Sequence, residues 1–337
     1  TALVYRMAKD YRYVFLSRPR RFGKSLLCST LKEYFEGNKE MFAGLQMAEL
    51  EKDWVKYPVI HFSFAIAKNV SEESLNAIIN NILCEAEKKF GLINTENDCG
   101  VRFSNLIKNI YEKTGQKVVV IIDEYDAPML DSIDNDILQN KIRSIQNQFF
   151  SPLKQLDPYL RFVFITGITK FSQMSIFSAL NNLKDISLMP EFEAICGISK
   201  NELFTQLKDG LQNFADKNEI LFDQALDLFT KKYDGYHFSE EKQDIFNPYS
   251  VINALNDRKL NDYWFGSATP SALIKLICKF DVEISDYEMV ECDSFRFNQP
   301  VEKVTDLVPF LFQSGYLTIK DYNKEYGTYI LGYPNEE

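Results

Sequence analysis

Residues Tyr13–Phe35 constrain the fold of this chain more than any other stretch. Tyr13-Val14-Phe15-Leu16 is a β-branched and aromatic run that reads as a buried strand. A polar turn follows, then Gly23-Lys24-Ser25, then a segment expected to carry Leu26, Leu27, Leu31, Tyr34 and Phe35 on one helical face. In a strand–turn–helix of this kind, backbone N–H groups of the turn and of the helix N-terminus converge on one point. That point suits an anion, and a polyphosphate above all. Lys24 would reach the β- and γ-phosphates, and the Ser25 hydroxyl would hold Mg²⁺.

The motif G-x-x-x-x-G-K-[ST] has a first glycine five residues before the second, and here that position is Arg18. The loop Arg18-Pro19-Arg20-Arg21-Phe22 therefore carries three guanidinium groups, whose fork geometry suits phosphate oxygens. In a tight turn they cannot all face one phosphate chain. Arg18 and Arg21, which flank the turn, are the phosphate candidates. The expected nucleotide-binding set is Arg18, Arg21, Phe22, Gly23, Lys24, Ser25 and Leu26.

A second hydrophobic strand ending in acid completes such a site. Val118-Val119-Val120-Ile121-Ile122 is continuously apolar, as a parallel strand buried on both faces should be. It ends in Asp123-Glu124-Tyr125-Asp126. Asp123 is the expected second Mg²⁺ ligand, the Walker B role, and Glu124 is placed to polarise the attacking water. ATP hydrolysis with Mg²⁺ becomes the leading expectation, with Lys24, Glu124 and Thr166 as the catalytic set.

Further strands are expected at 58–64 and 161–166, and helices at 71–90, about 101–113 and 136–154. Strand alternating with helix implies an α/β fold with a doubly wound parallel sheet, whose ligands sit at the carboxyl ends of the strands. Beyond about residue 195, helices at 199–214, 222–233, 248–257 and 269–279 take over. Tyr316–Lys320 and Tyr329–Leu331 then read as a β-hairpin. The expected organisation is a P-loop core over 1–195, a helical lid over 196–300 and a small winged-helix-like segment over 301–337.

Ser17–Ser25 together with Ile122–Pro128 resembles the AAA-ATPase-like family of bacterial P-loop ATPases, which is related to the STAND and archaeal-type ATPases. Further matching segments are Thr166–Ser172, Leu180–Ile186, Tyr233–Phe238, Asn247–Ser250 and Phe312–Ile319, spread over nearly the whole chain. The resemblance implies that Arg18 is usual at the first-glycine position and that Thr166, with Thr169 and Lys170 behind it, takes the sensor position. It also makes His237 a candidate to contact adenine or phosphate, with structural packing the preferred reading. A C-terminal nuclease-like domain of the PD-(D/E)XK type often follows in that family. The start at Thr1 and the end at Glu337 read as those of an excised fragment.

Net charge is −10, which argues against tight nucleic-acid binding by these residues. Residues 1–39 depart from that balance, with nine Lys or Arg against three Asp or Glu around the phosphate loop. No apolar run approaches the roughly 20 residues of a membrane helix, so no membrane partner is expected. Cys28, Cys84, Cys99, Cys196, Cys278 and Cys292 are scattered, as reduced thiols of a cytoplasmic protein would be. His61 and His237 are the only histidines. Nothing has zinc-ligand spacing, and His61, inside an apolar strand, is expected as a hydrogen-bonded core residue.

Two other function classes use the same residues. One is a slow-turnover, nucleotide-gated switch or scaffold of STAND type, with a homo-oligomer among its partners. The other is a small-molecule P-loop kinase, which the acidic pair and the helical second half fit poorly. GTP is disfavoured, because the three Asn-Lys pairs begin NKEM, NKIR and NKEY and none is N-K-x-D.

Overall fold

Strand β1 (Tyr13–Ser17) is buried along its whole length, and so is β3 (Val118–Asp123). Burial on both faces is why these strands are apolar without alternation. In the computed structural model, which describes residues 1–65, 71–93, 96–171, 180, 182–268, 271–280, 287–301 and 306–336, they belong to one five-stranded parallel sheet. With β2 (Val59–Ser63), β4 (Leu160–Gly167) and β5 (Lys184–Asp185), the order is β2-β3-β4-β1-β5. One strand, β4, separates the strand before Gly-Lys-Ser from the strand that ends in acid. The register pairs Ser63 with Asp123 and Ile122 with Ile165, so the carboxyl ends of β2, β3 and β4 are level. Of the motif residues above, Ser172 and Asn181 lie outside the described residues.

The chain divides into two compact units. The first holds residues 1–16, 25–167 and 171–186; the second holds 17–24, 168–170 and 187–337.

In the first unit, α1 (Ala2–Asp10) precedes the sheet, and α2 (Lys24–Phe35) follows the glycine turn. Leu27, Cys28, Leu31, Tyr34 and Phe35 form the buried stripe of α2, whereas Leu26 is 71% exposed. Leu26 was expected on that stripe. At 3.6 residues per turn it lies about 140° from the stripe's middle, and Cys28 takes the inward position instead. After the short α3 (Gln46–Leu50), α4 (Glu72–Phe90) starts at a capping box between Ser71 and Ser74 and buries Leu75, Ile79 and Leu83. The helix α5 (Cys99–Thr114) is capped by Asp98 and ended by Gly115 in the left-handed conformation. Beyond α6 (Ala127–Asp131), α7 (Asp136–Phe150) stops four residues short of the expected end and continues as a 3₁₀ turn, Ser151–Lys154. Pro152 has no N–H to donate, and its ring excludes the carbonyl four residues back.

In the second unit, helices Lys200–Thr205, Lys208–Lys217, Phe222–Tyr233 and Pro248–Asp257 surround a core that includes Leu203, Leu211, Phe214, Phe229, Tyr233 and Val251. The single helix expected at 199–214 is two helices, because the N–H groups of Gln206 and Leu207 both bond the Glu202 carbonyl and close the first one. Asn247 caps the fourth through the N–H groups of Tyr249 and Ser250, with Pro248 at its first position. The expected helix at 269–279 is described as Ser271–Phe280. Strands β6 (Ile198–Ser199) and β7 (Ile245–Phe246) pair antiparallel. The expected hairpin is β9 (Thr318–Asn323) and β10 (Thr328–Gly332), joined by a third strand, β8 (Val290–Cys292), in the antiparallel order β8-β10-β9.

Candidate nucleotide-binding site

The loop after β1 turns through two left-handed residues, Arg21 at φ 67° and Gly23 at φ 89°. Glycine is at home there, whereas an arginine held at positive φ costs about 1–2 kcal/mol that its surroundings must supply. Those surroundings are aromatic and belong to the same unit. Phe22 is fully buried, edge-on to Tyr236 and Phe238 with ring centroids 4.8 and 5.6 Å away. The indole Nε1 of Trp264 donates to the Arg20 carbonyl at 3.1 Å. Gly315 lies so close to Pro19 that a Cβ there would be 2.7 Å from the proline ring. Two of the further matching segments, Tyr233–Phe238 and Phe312–Ile319, thus pack the loop.

The arginines of the loop divide as follows. The Arg18 guanidinium is buried, donating through Nη1 to the Ser17 and Ser187 carbonyls at 2.9 and 2.8 Å. Nη2 donates to the Phe192 and Glu193 carbonyls at 3.2 and 3.3 Å, and the group lies 4.0 Å from the Phe238 ring centroid. Its geometry is that of a clamp on neighbouring backbone, not of a side chain turned toward a phosphate as expected. Glu193, buried beside it, accepts from the N–H groups of Phe238 and Ser239. The Arg21 guanidinium lies over the Tyr249 ring at 4.9 Å. Lys24 is buried and donates from Nζ to the Arg18 and Pro19 carbonyls, both at 2.9 Å, closing the loop on itself. Ser25 and Leu26, the next helical residues, are exposed.

The acid-bearing end is equally specific. Asp123 is buried at the end of β3, and its Oδ1 is buried with no hydrogen-bond partner. An orphaned carboxylate oxygen at a strand end fits a divalent cation or its water shell. Glu124 takes φ 51°, a second left-handed non-glycine residue, here inside the acidic motif. The Tyr125 N–H bonds the Thr166 carbonyl at 3.3 Å, and its own carbonyl accepts from Gln146 Nε2 at 2.7 Å. The Thr166 hydroxyl donates to the Leu16 carbonyl at 2.7 Å and so joins β4 to β1. Gly167 is required by the approach of Asp126, since a Cβ would lie 2.3 Å from Oδ1 of that carboxylate. In the second unit, the Lys170 N–H donates to Gln313 Oε1 at 2.8 Å, and the Val301 N–H bonds the Lys170 carbonyl at 3.0 Å.

A sequence model of the family described as predicted AAA-ATPase matches residues 1–177. The chain belongs to that family. Membership implies nucleotide binding, which in such proteins usually goes with Mg²⁺. This predicted AAA-ATPase is also similar to an uncharacterized protein in the vnfD 5′ region of Azotobacter chroococcum mcd 1, with 32% identity over 340 residues. The match covers all of this chain and 63% of that protein's length. Among the described residues, no helix is long and apolar enough to cross a membrane.

Of the two histidines of this AAA-ATPase, only His61 departs from its expected role. His237 is a packing residue. Its Nδ1 is 2.7 Å from the Ile319 carbonyl, its Nε2 is 2.9 Å from Asp244 Oδ1, and its backbone N–H donates to Thr318 Oγ1 at 2.7 Å. His61 is not the hydrogen-bonded core residue expected, because its Nε2 is buried with no hydrogen-bond partner. Burial pushes its pKa below the ordinary value, against the pull of the Asp123 carboxylate, so the ring is neutral near pH 7. Its side chain lies with Cys28 and Asp123, a grouping that no linear spacing reveals.

Proposed function

We propose that the chain is an ATP-hydrolysing module, with residues 18–25 as Walker A and 118–124 as Walker B, that couples its nucleotide state to an attached effector. The observation that carries this reading is a shared edge. β1 runs into the Gly-Lys-Ser turn, β3 ends at Asp123 and β4 ends at Thr166-Gly167, and all three strands are parallel. Ligands of open α/β sheets bind outside that edge.

The backbone N–H groups of Gly23, Lys24, Ser25 and Leu26 would bind the phosphates, with Phe22 holding the turn in shape from its aromatic pocket. Lys24 would exchange the Arg18 and Pro19 carbonyls for β- and γ-phosphate oxygens. Ser25 and Asp123 would hold Mg²⁺, which would neutralise charge developing on the transferring phosphoryl group. Glu124 orients the attacking water, and Thr166 positions the γ-phosphate side of the site. Arg21 would meet phosphate oxygens, while Arg18 serves the nucleotide through the loop conformation that it clamps.

Coupling follows from the partition of the chain. The loop 17–24 belongs to the same unit as residues 187–337, so a ligand on that loop acts directly on this unit. We divide the protein into a core over 1–195, a lid over 196–300 and a terminal part over 301–337. The sheet order β8-β10-β9, whose first strand and helix Ser294–Asn298 precede residue 301 and whose second helix is Val308–Ser314, supports a winged-helix-like reading of the end of the chain. All seven residues of Val308–Ser314 are buried, which leaves that helix no face for a nucleic-acid groove. The effector would be a further, nuclease-like domain, for which the longer relative has room.

Calorimetric titration of the chain and its Lys24→Ala variant with MgATP tests the site. Binding by the parent and its loss in a folded variant is the expected result; unchanged affinity removes the P-loop assignment. The same aromatic enclosure of the loop also favours the slow-turnover switch. Steady release of free phosphate supports the hydrolase, nucleotide retained through purification supports the switch, and a phosphorylated acceptor would indicate a kinase.

A further inference from the structure

Cys28 on the buried face of α2, His61 in β2 and Asp123 at the end of β3 converge in the first unit. One ligand atom from each (the thiol Sγ, an imidazole nitrogen and a carboxylate oxygen) lies within 4.8 Å of the other two. His61 Nε2 and Asp123 Oδ1 are both buried and neither has a hydrogen-bond partner. Leaving two such atoms unsatisfied costs about 1–3 kcal/mol each, so their persistence side by side calls for an explanation. An apolar core would have no use for them, and the two do not bond each other.

We propose that Cys28, His61 and Asp123, of which the histidine ring is partly exposed, form a binding site for a soft divalent ion of the Zn²⁺ or Co²⁺ type. Sulfur, nitrogen and oxygen donors together are the set such ions prefer, three protein ligands leaving a fourth position for water. Mg²⁺ needs oxygen ligands throughout, and a thiol excludes it. Tetrahedral coordination sets ligand atoms roughly 3.3–3.8 Å apart, so no separation need close by more than about 1–1.5 Å, within reach of side-chain rotation. On binding, the Cys28 S–H bond breaks, its proton goes to solvent and the thiolate sulfur coordinates the ion. The neutral His61 ring contributes its Nε2 lone pair, and Asp123 contributes Oδ1.

The site has a regulatory consequence, which rests on the nucleotide reading above. Asp123 would serve either Mg²⁺ at the nucleotide or the soft ion beneath it, not both in one geometry. Zn²⁺ would therefore inhibit turnover by withdrawing the Walker B carboxylate.

Titration of the full chain with Co²⁺ alone, without nucleotide, tests the site through the thiolate-to-cobalt charge-transfer band in the near ultraviolet. The parent should develop the band at one equivalent and lose it to added Zn²⁺. Cys28→Ser should abolish it, and His61→Gln should weaken the ion's affinity on the order of 100-fold. Circular dichroism and melting confirm that each variant folds, and Cys28→Ala replaces the serine variant if that one does not. A parent without the band, or a band that survives Cys28→Ser and so belongs to another of the six cysteines, overturns the proposal. Zn²⁺ inhibition of phosphate release that disappears in Cys28→Ser supports the regulatory part, and equal inhibition in both overturns it. A chain that binds Co²⁺ through Cys28 yet binds no MgATP would count against the nucleotide reading and leave the ion site standing.

Discussion

Arg18→Ala should destabilise the protein more than it weakens nucleotide binding by direct contact. The guanidinium is 1% exposed and makes four N–H···O=C bonds, two of them, to Ser17 and Ser187, at 2.9 and 2.8 Å. A hydrogen bond to a charged group contributes about 1.5–3 kcal/mol net, so these two alone account for roughly 3–6 kcal/mol. Relief of the cation's own burial offsets part of that. The bonds at 3.2 and 3.3 Å and the Phe238 ring add a smaller amount. The net expectation is about 3–5 kcal/mol, or a fall in melting midpoint on the order of 10 °C. Arg18→Lys should recover little of it, because an ammonium group lacks the fork that reaches carbonyls on both sides. Thermal melting of parent and variants without nucleotide measures the effect. A variant that melts with the parent and loses only MgATP affinity would mean that Arg18 is a phosphate ligand and not a clamp on the backbone.

Glu124→Gln should retain MgATP and lose phosphate release by on the order of 10²-fold or more, because the amide keeps the shape but accepts no proton; release at the parent rate removes Glu124 from the mechanism. Gly167→Ala puts a Cβ 2.3 Å from Asp126 Oδ1 and 2.8 Å from the Tyr125 ring, and should cost about 1–3 kcal/mol by urea unfolding. An unchanged urea midpoint would contradict that close approach. Asp234 is buried with Oδ1 unpartnered, and burial raises its pKa from 3.8 to about 6. The folded state then binds the proton more tightly than the unfolded chain, so this contribution is full below pH 3.8 and is lost as pH rises through about 6. Asp234→Asn should therefore gain stability relative to the parent over that window, by up to about 3 kcal/mol at pH 8. A variant-minus-parent difference that stays flat from acid to neutral pH rules the account out.

Local chemistry made much of the fold legible in the residues alone. Tyr13–Leu16 and Val118–Ile122 announce buried strands because a strand covered on both faces has no polar side to show. Ser71 and Asn247 announce helix starts because their side chains bond N–H groups two or three residues away. Gly-Lys-Ser after one strand and Asp-Glu after another mark the candidate site for the same reason, each being a short motif with its own backbone requirement. What tertiary structure decided was the direction of side chains whose partners are remote in sequence. Arg18 reads as a phosphate ligand until the carbonyls of Ser187, Phe192 and Glu193 are brought to it. Tyr236, Phe238 and Trp264 have no period that would reveal a role in holding Phe22 and Arg20. With Leu27, Leu31, Tyr34 and Phe35 inward, the helical period turns Leu26 outward and Cys28 in, but it does not say what Cys28 meets there. Once inward, Cys28 meets His61 and Asp123 because one helix and two paired strands fold over a common interior. Hydrogen-bond reach and helical period act over a few residues, whereas which remote groups share an interior is set by how the layers close.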